Sequence, residues 1–172
     1  MFLSGRNPIY LHSTTMIKTK IPVREPHVRQ FITARYGNNT QVVDLTKKSM
    51  LGVLAELSCE KVGYRHVLPS TRVDEQTSIT LLYPDSLKNH FIHPSKLLLL
   101  EKLFAYLFTQ AFLEACEVSL MLGISDYEAV NLFMERYGIT EEMVSADTLR
   151  KKWRDHQRHM VRKTARLLAE AA

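Results

Sequence analysis

Residues 95–122 run for 28 positions without a glycine or proline, and this stretch limits what the chain can fold into more than any other. A continuous helix of that length would reach about 42 Å. It is apolar on most sides, through Leu97, Leu98, Leu99, Leu100, Leu103, Phe104, Phe108, Phe112 and Leu113. Glu101, Lys102, Thr109 and Gln110 are its main interruptions. A membrane span is disfavoured because Glu101 and Lys102 would sit inside the apolar layer, at a cost of roughly 2.5–3.5 kcal/mol each. The stretch therefore predicts the central core helix of a soluble fold, or one side of a dimer interface.

A helix of this kind needs neighbours, and the flanking sequence supplies them. Residues 17–23 alternate apolar and polar side chains, the pattern of a half-buried strand, with Pro22 marking it as an edge. Glu25 and Pro26 then open a short helix to Tyr36, with Val28, Phe31, Ile32 and Tyr36 at helical spacing and Gly37 as its stop. Residues 41–44 read as briefly extended, residues 45–62 as a second helix, and residues 64–76 as a basic, polar loop with a short strand near 65–68. Residues 77–83 (TSITLLY) are rich in β-branched side chains and end at Pro84, so a second strand is expected to pair with the first.

Downstream of a composition break at residues 84–94, all the patterning is helical. Ser125 and Glu128 have capping-box spacing, and Tyr127, Val130, Phe133, Met134 and Tyr137 form the apolar stripe of a helix closed by Gly138. Thr140 is placed to cap a single turn, and Ser145 to cap the last helix, with Asp147 at its positive end. In that last helix Leu149, Trp153, His156, Met160, Thr164 and Leu167 make one stripe. The fold expected is α+β and predominantly α-helical. A small strand pair packs on a C-terminal helical bundle, residues 17–93 and 94–172 forming one domain behind a flexible tail at 1–16.

The opposite side of the last helix carries the charge. Arg150, Arg154, Arg158, Arg162 and Arg166 lie four residues apart, with Lys151, Lys152 and Lys163 beside them. Residues 149–172 hold a net charge of +6, whereas the remainder of a chain whose total is +5 sums to −1. A concentrated basic face is the usual electrostatic footprint for phosphate backbones. The expected contacts are Arg150, Lys151, Lys152, Arg154 and Arg158, with Arg162 and Lys163 secondary. A four-residue step over-rotates the helix by about 40°, so a flat partner meets only the first few rungs. The expected partner is nucleic acid, duplex DNA first, or else an acidic protein surface. The second functional reading is an assembly module that dimerises through residues 95–122.

Catalytic signatures are absent: there is no GxGxxG, P-loop, GxSxG or HExxH. His90/His93 and His156/His159 lack further ligands at zinc spacing. No enzyme activity, cofactor or metal is expected. Cys59 and Cys116 are isolated and read as buried free thiols, which fits a reducing, cytoplasmic compartment. The turn Leu122-Gly123-Ile124-Ser125 resembles that of helix-turn-helix DNA-binding domains. The helix after it carries Asp126, Glu128 and Glu135, which would meet phosphate unfavourably.

The stretch FMERYGITEEMVSADTLRKKWRDHQR, residues 133–158, resembles the C-terminal region of an uncharacterised family of small bacterial proteins associated with prophage-like and other mobile elements. Tyr137-Gly138-Ile139-Thr140-Glu141-Glu142 and Ser145-x-Asp147-Thr148-Leu149 carry the likeness, and KIPVREPHVRQFITARYG, residues 20–37, fits it. The resemblance implies an association with DNA handling and assigns no site residues.

Overall fold

Alternating side chains at both ends of the N-terminal part meet as a strand pair, as their pattern predicts. The computed structural model of the protein describes residues 17–37, 40–45, 50–61, 74–83 and 90–170. In chain order these form β1 (Ile17–Pro22), α1 (Pro26–Tyr36), β2 (Val42–Asp44), α2 (Met50–Ser58), β3 (Cys59–Lys61), a 3-10 turn (Glu75–Thr77), β4 (Ser78–Tyr83), β5 (His90–Ile92), α3 (Pro94–Met121), α4 (Asp126–Tyr137) and α5 (Ala146–Glu170). The fold is α+β and mostly helical. The expected tail at 1–16 and the strand near 65–68 lie outside the described residues.

β1 and β4 pair antiparallel, Ile17 opposite Tyr83 and Ile21 opposite Ile79. Period-two alternation puts Ile21, Ile79, Leu81 and Tyr83 on one buried face. Two features go beyond the expected strand pair. β2 joins β4 in parallel, giving the order β1-β4-β2, and β3 and β5 make a separate two-stranded sheet. The second sheet also corrects the helix expected at 45–62. Helix α2 stops at Ser58, because Cys59 to Lys61 exchange helical bonds for pairing with His90 to Ile92. Leu51 and Ala55 still bury its apolar side.

Helix α3 is the centre of the fold. By length and composition it could cross a membrane, yet Leu97, Leu100, Phe104, Phe108, Ala111, Phe112, Leu113 and Cys116 form a buried face within the protein. That side meets an aromatic cluster shared with α1 and α4. Phe31 lies edge-on to Phe108 at 5.6 Å and to Tyr137 at 4.8 Å, and Phe133 lies edge-on to Phe112 at 5.2 Å. Such pairs add about 0.5–1.5 kcal/mol each beyond area burial. The other side of α3 leaves Leu98, Leu99 and Tyr106 exposed.

The expected caps hold α4 and α5 in place. Ser125 Oγ accepts from Glu128 N at 3.3 Å, and Gly138 closes α4 in the left-handed region with φ of 63°. Ser145 Oγ accepts from Thr148 N at 3.2 Å, while the Glu141 carboxylate accepts from Ala146 N at 3.1 Å. A carboxylate at that position also complements the helix dipole.

Candidate nucleic-acid interface

Helix α5 changes character along its length. Ala146, Leu149 and Trp153 are buried against α3 and α4, and His156 and Gln157 are half-buried. From Arg158 to Glu170 every residue is exposed. The last twelve of these residues span about 18 Å of helix. The expected anchoring stripe therefore ends early: Met160 is 44% exposed and Leu167 56% exposed. Sequence periodicity continues past the point where the body stops.

The structure divides the seven basic side chains expected to bind into two groups. Arg150 and Lys152 flank the Leu149–Trp153 direction and turn back to the body. The Arg150 guanidinium lies 5.4 Å over the Tyr127 ring of α4 and donates to Asp147 Oδ1 at 3.1 Å. Lys152 Nζ donates to Thr109 Oγ1 of α3 at 2.8 Å and sits 5.7 Å from the Phe108 ring centroid. Burial draws the Lys152 pKa down, and the Glu25 charge pulls it partly back.

Lys151, Arg154, Arg158, Arg162 and Lys163 are exposed; much of Lys152 is exposed too, and its bond to Thr109 is what sets it apart. At 100° per residue, Arg158 points about 160° away from the buried stripe. Arg154 and Arg162 lie on either side of it. In this group Asp155 lies 3.5 Å from Arg158. Arg166, one rung further, pairs with Glu170 at 2.7 Å. The outward cations thus run 154, 158, 162, displaced by one rung from the set expected on sequence alone. A helical wheel centred on Leu149 and Trp153 carries that displacement.

Sequence reasoning missed a small polar cluster at the foot of α5. His27 Nε2 is 3.3 Å from Glu25 Oε2, and its ring meets the Phe108 edge at 4.8 Å. Burial lowers the His27 pKa, the Glu25 charge opposes that, the nearby Lys152 charge adds to it, and the Met143 backbone opposes it. Glu25 and His27, Thr109, and Lys152 come from three separate stretches of the chain, so spacing gives no sign of the cluster. Through Lys152, Thr109 and Phe108 the cluster ties α5 to α3.

The other candidate sites resolve into structural roles. His93 Nδ1 caps α3 by accepting from Ser95 N at 3.3 Å, and His156 Nε2 lies 3.2 Å from Glu117 Oε1. Among the described residues, no group of three or more His, Cys, Asp or Glu is placed to hold a metal ion. Burial pushes the Cys116 thiol up to about 12, away from reactive thiolate. The first turn of α4, which a helix-turn-helix would insert into a groove, lies under α5. There Asp126 accepts from Trp153 and Tyr127 carries Arg150. An open groove of about 670 Å³ lies between α1, α3 and α4, edged by Arg35, Glu114 and Arg136. None of the expected contact residues borders it. Comparison with protein-family models, curated proteins and solved structures finds no match.

Proposed function

We propose that this protein is a non-enzymatic, DNA-associated regulator that grips duplex phosphates with the outer arc of α5, and that it works in the cytoplasm. One observation carries the reading. Lys151, Arg154, Arg158 and Arg162 are exposed along one arc of a helix whose distal half stands clear of the body, with Lys163 exposed at its margin. A rod-like polyanion can therefore approach along the side of the helix without meeting the slightly acidic remainder. Phosphate contacts of this kind give affinity and orientation with little base discrimination.

Duplex DNA titrated at increasing salt tests the reading. Affinity should fall log-linearly with salt, by about 0.9 units of slope per phosphate engaged. The Arg154→Ala/Arg158→Ala/Arg162→Ala variant should bind far more weakly at every salt concentration. No binding at low salt, or an unchanged triple variant, would sink the proposal. Displacement by polyglutamate but not by DNA would instead favour an acidic protein surface.

A further inference from the structure

The face of distal α5 opposite Arg158 and Arg162 is apolar and uncovered, with Val161 at its margin beside those arginines and Lys163 at the other. Met160, Val161, Thr164, Leu167 and Leu168 are all exposed, with Leu168 at 68%. They extend the line that Trp153 begins where it is buried. Trp153, Gln157, Met160, Thr164 and Leu167 follow one another at steps of four, three, four and three, which is heptad spacing. Val161 and Leu168 flank this seam on one edge, and Lys163 and Glu170 flank it on the other. Body-facing residues end at Gln157, so nothing in this chain's described residues covers the seam beyond Met160.

We infer that the distal seam of α5 packs antiparallel against the same seam of a second copy of this chain. Charge decides between occupants. The seam has a cation and an anion on the same edge seven residues apart, which makes it self-complementary, with the Glu170 carboxylate shared between Arg166 of its own chain, at 2.7 Å, and the second copy. With Thr164 opposite the partner's Leu167, heptad geometry places Lys163 beside the partner's Glu170 and Glu170 beside the partner's Lys163. The same register sets Val161 against the partner's Leu168 on the apolar edge. An acidic partner helix would be drawn to the basic arc on the far side and would leave the apolar seam uncovered. Two copies joined seam to seam keep Arg158 and Arg162 pointing outward, so like charges do not face one another across the contact. The contact is short and belongs to the weak, concentration-dependent class of interface. It does not depend on what the basic arc binds.

Sedimentation equilibrium of the full chain in DNA-free buffer tests this inference. The wild type should move from one chain mass to two as concentration rises. Leu167→Glu/Leu168→Glu should remain at one chain mass with unchanged helix content, since neither side chain is packed in its own chain. Lys163→Glu alone and Glu170→Lys alone should each raise the dimer Kd by about two- to thirtyfold, because surface pairs contribute roughly 0.2–1 kcal/mol and each change alters two. The double swap should restore wild-type behaviour. A monomer at all concentrations overturns the inference. So does a dimer that persists in Leu167→Glu/Leu168→Glu, which would move the contact to the Leu98, Leu99 and Tyr106 face of α3. A double swap no better than its singles overturns the antiparallel register.

Discussion

The indole Nε1 of Trp153 donates to Oδ1 of Asp126 at 2.9 Å, joining the buried half of α5 to the first turn of α4. The Trp153 ring is 2% exposed and packs with Leu149 against the bundle. Trp153→Ala should therefore cost about 3–5 kcal/mol by loss of a buried ring. Asp126→Ala strands the buried N–H and should cost about 1–3 kcal/mol. Asp126→Asn keeps an acceptor and should stay within about 1 kcal/mol of wild type. Urea unfolding measures all three. Equal losses for Asn and Ala would show that the bond contributes nothing.

The division of the basic residues makes a sharper binding prediction than the ladder alone. Arg154→Ala/Arg158→Ala/Arg162→Ala removes three outward cations and should flatten the salt slope of DNA binding by about 2.7 units. Lys152→Ala removes the same charge per residue from a side chain tied to Thr109. It should change the slope by less than about 0.5 units while lowering stability. A Lys152→Ala slope change equal to that of Arg158→Ala would show that the α3 contact opens on binding.

Acid should act on the fold through His27. Its folded-state pKa lies below 6.5, with burial the largest cause and the Lys152 charge acting in the same direction against Glu25 and the Met143 backbone. Glu25 and Lys152 are the charges acting on the ring, Thr109 and Phe108 from α3 are neutral, and Arg24, Glu101 and Lys102 lie beyond Glu25. The unfolded chain then takes up this proton at higher pH than the folded chain. Stability from neutral His27 is complete above the unfolded value of 6.5 and is lost as pH falls through the folded value. Urea midpoints between roughly pH 8 and pH 5 should drop more for wild type than for His27→Gln, which cannot titrate in that window. Parallel curves would remove His27 as a source of acid sensitivity.

Local signals served well where one stretch alone decides the structure. Ser125 and Gly138 bound α4, Pro26 and Gly37 bound α1, and the alternation at 17–23 and 77–83 gave a pair whose partners lie about sixty positions apart. Long-range pairing was harder to read. Cys59 to Lys61 continue a helical pattern, and only their partner at His90 to Ile92 makes them a strand. The parallel addition of β2 to β4 is equally silent, since three residues are too few to show a period. At the candidate site, periodicity could show that α5 has an apolar side but not where the body ends beneath it. For that reason Met160 looked anchored, and Arg150 and Lys152 looked free.

Gly37 shows how closely the end of α1 is joined to the sheet. Its φ is −112°, so conformation does not require glycine. Space does: a Cβ there would stand 2.7 Å from Val42 O, 2.8 Å from Thr40 O and 3.0 Å from Thr33 O. These are backbone atoms, held by Thr40 Oγ1 donating to Gly37 O at 2.6 Å and Gly37 N donating to Thr33 O at 2.9 Å. Relief would require α1 and β2 to separate, and β2 is hydrogen-bonded to the central strand β4. Gly37→Ala should thus destabilise by about 1–3 kcal/mol, as overpacking does. Gly123 offers the contrast, with φ of 76° and open space around its would-be Cβ, so Gly123→Ala should lose only the left-handed penalty of about 1–2 kcal/mol. The two can be told apart by structure as well as size. Gly37→Ala should speed amide exchange in β2, whereas Gly123→Ala should leave β2 protected. Unchanged exchange at Val42 and Val43 in Gly37→Ala would show that the α1–β2 join is looser than these distances require.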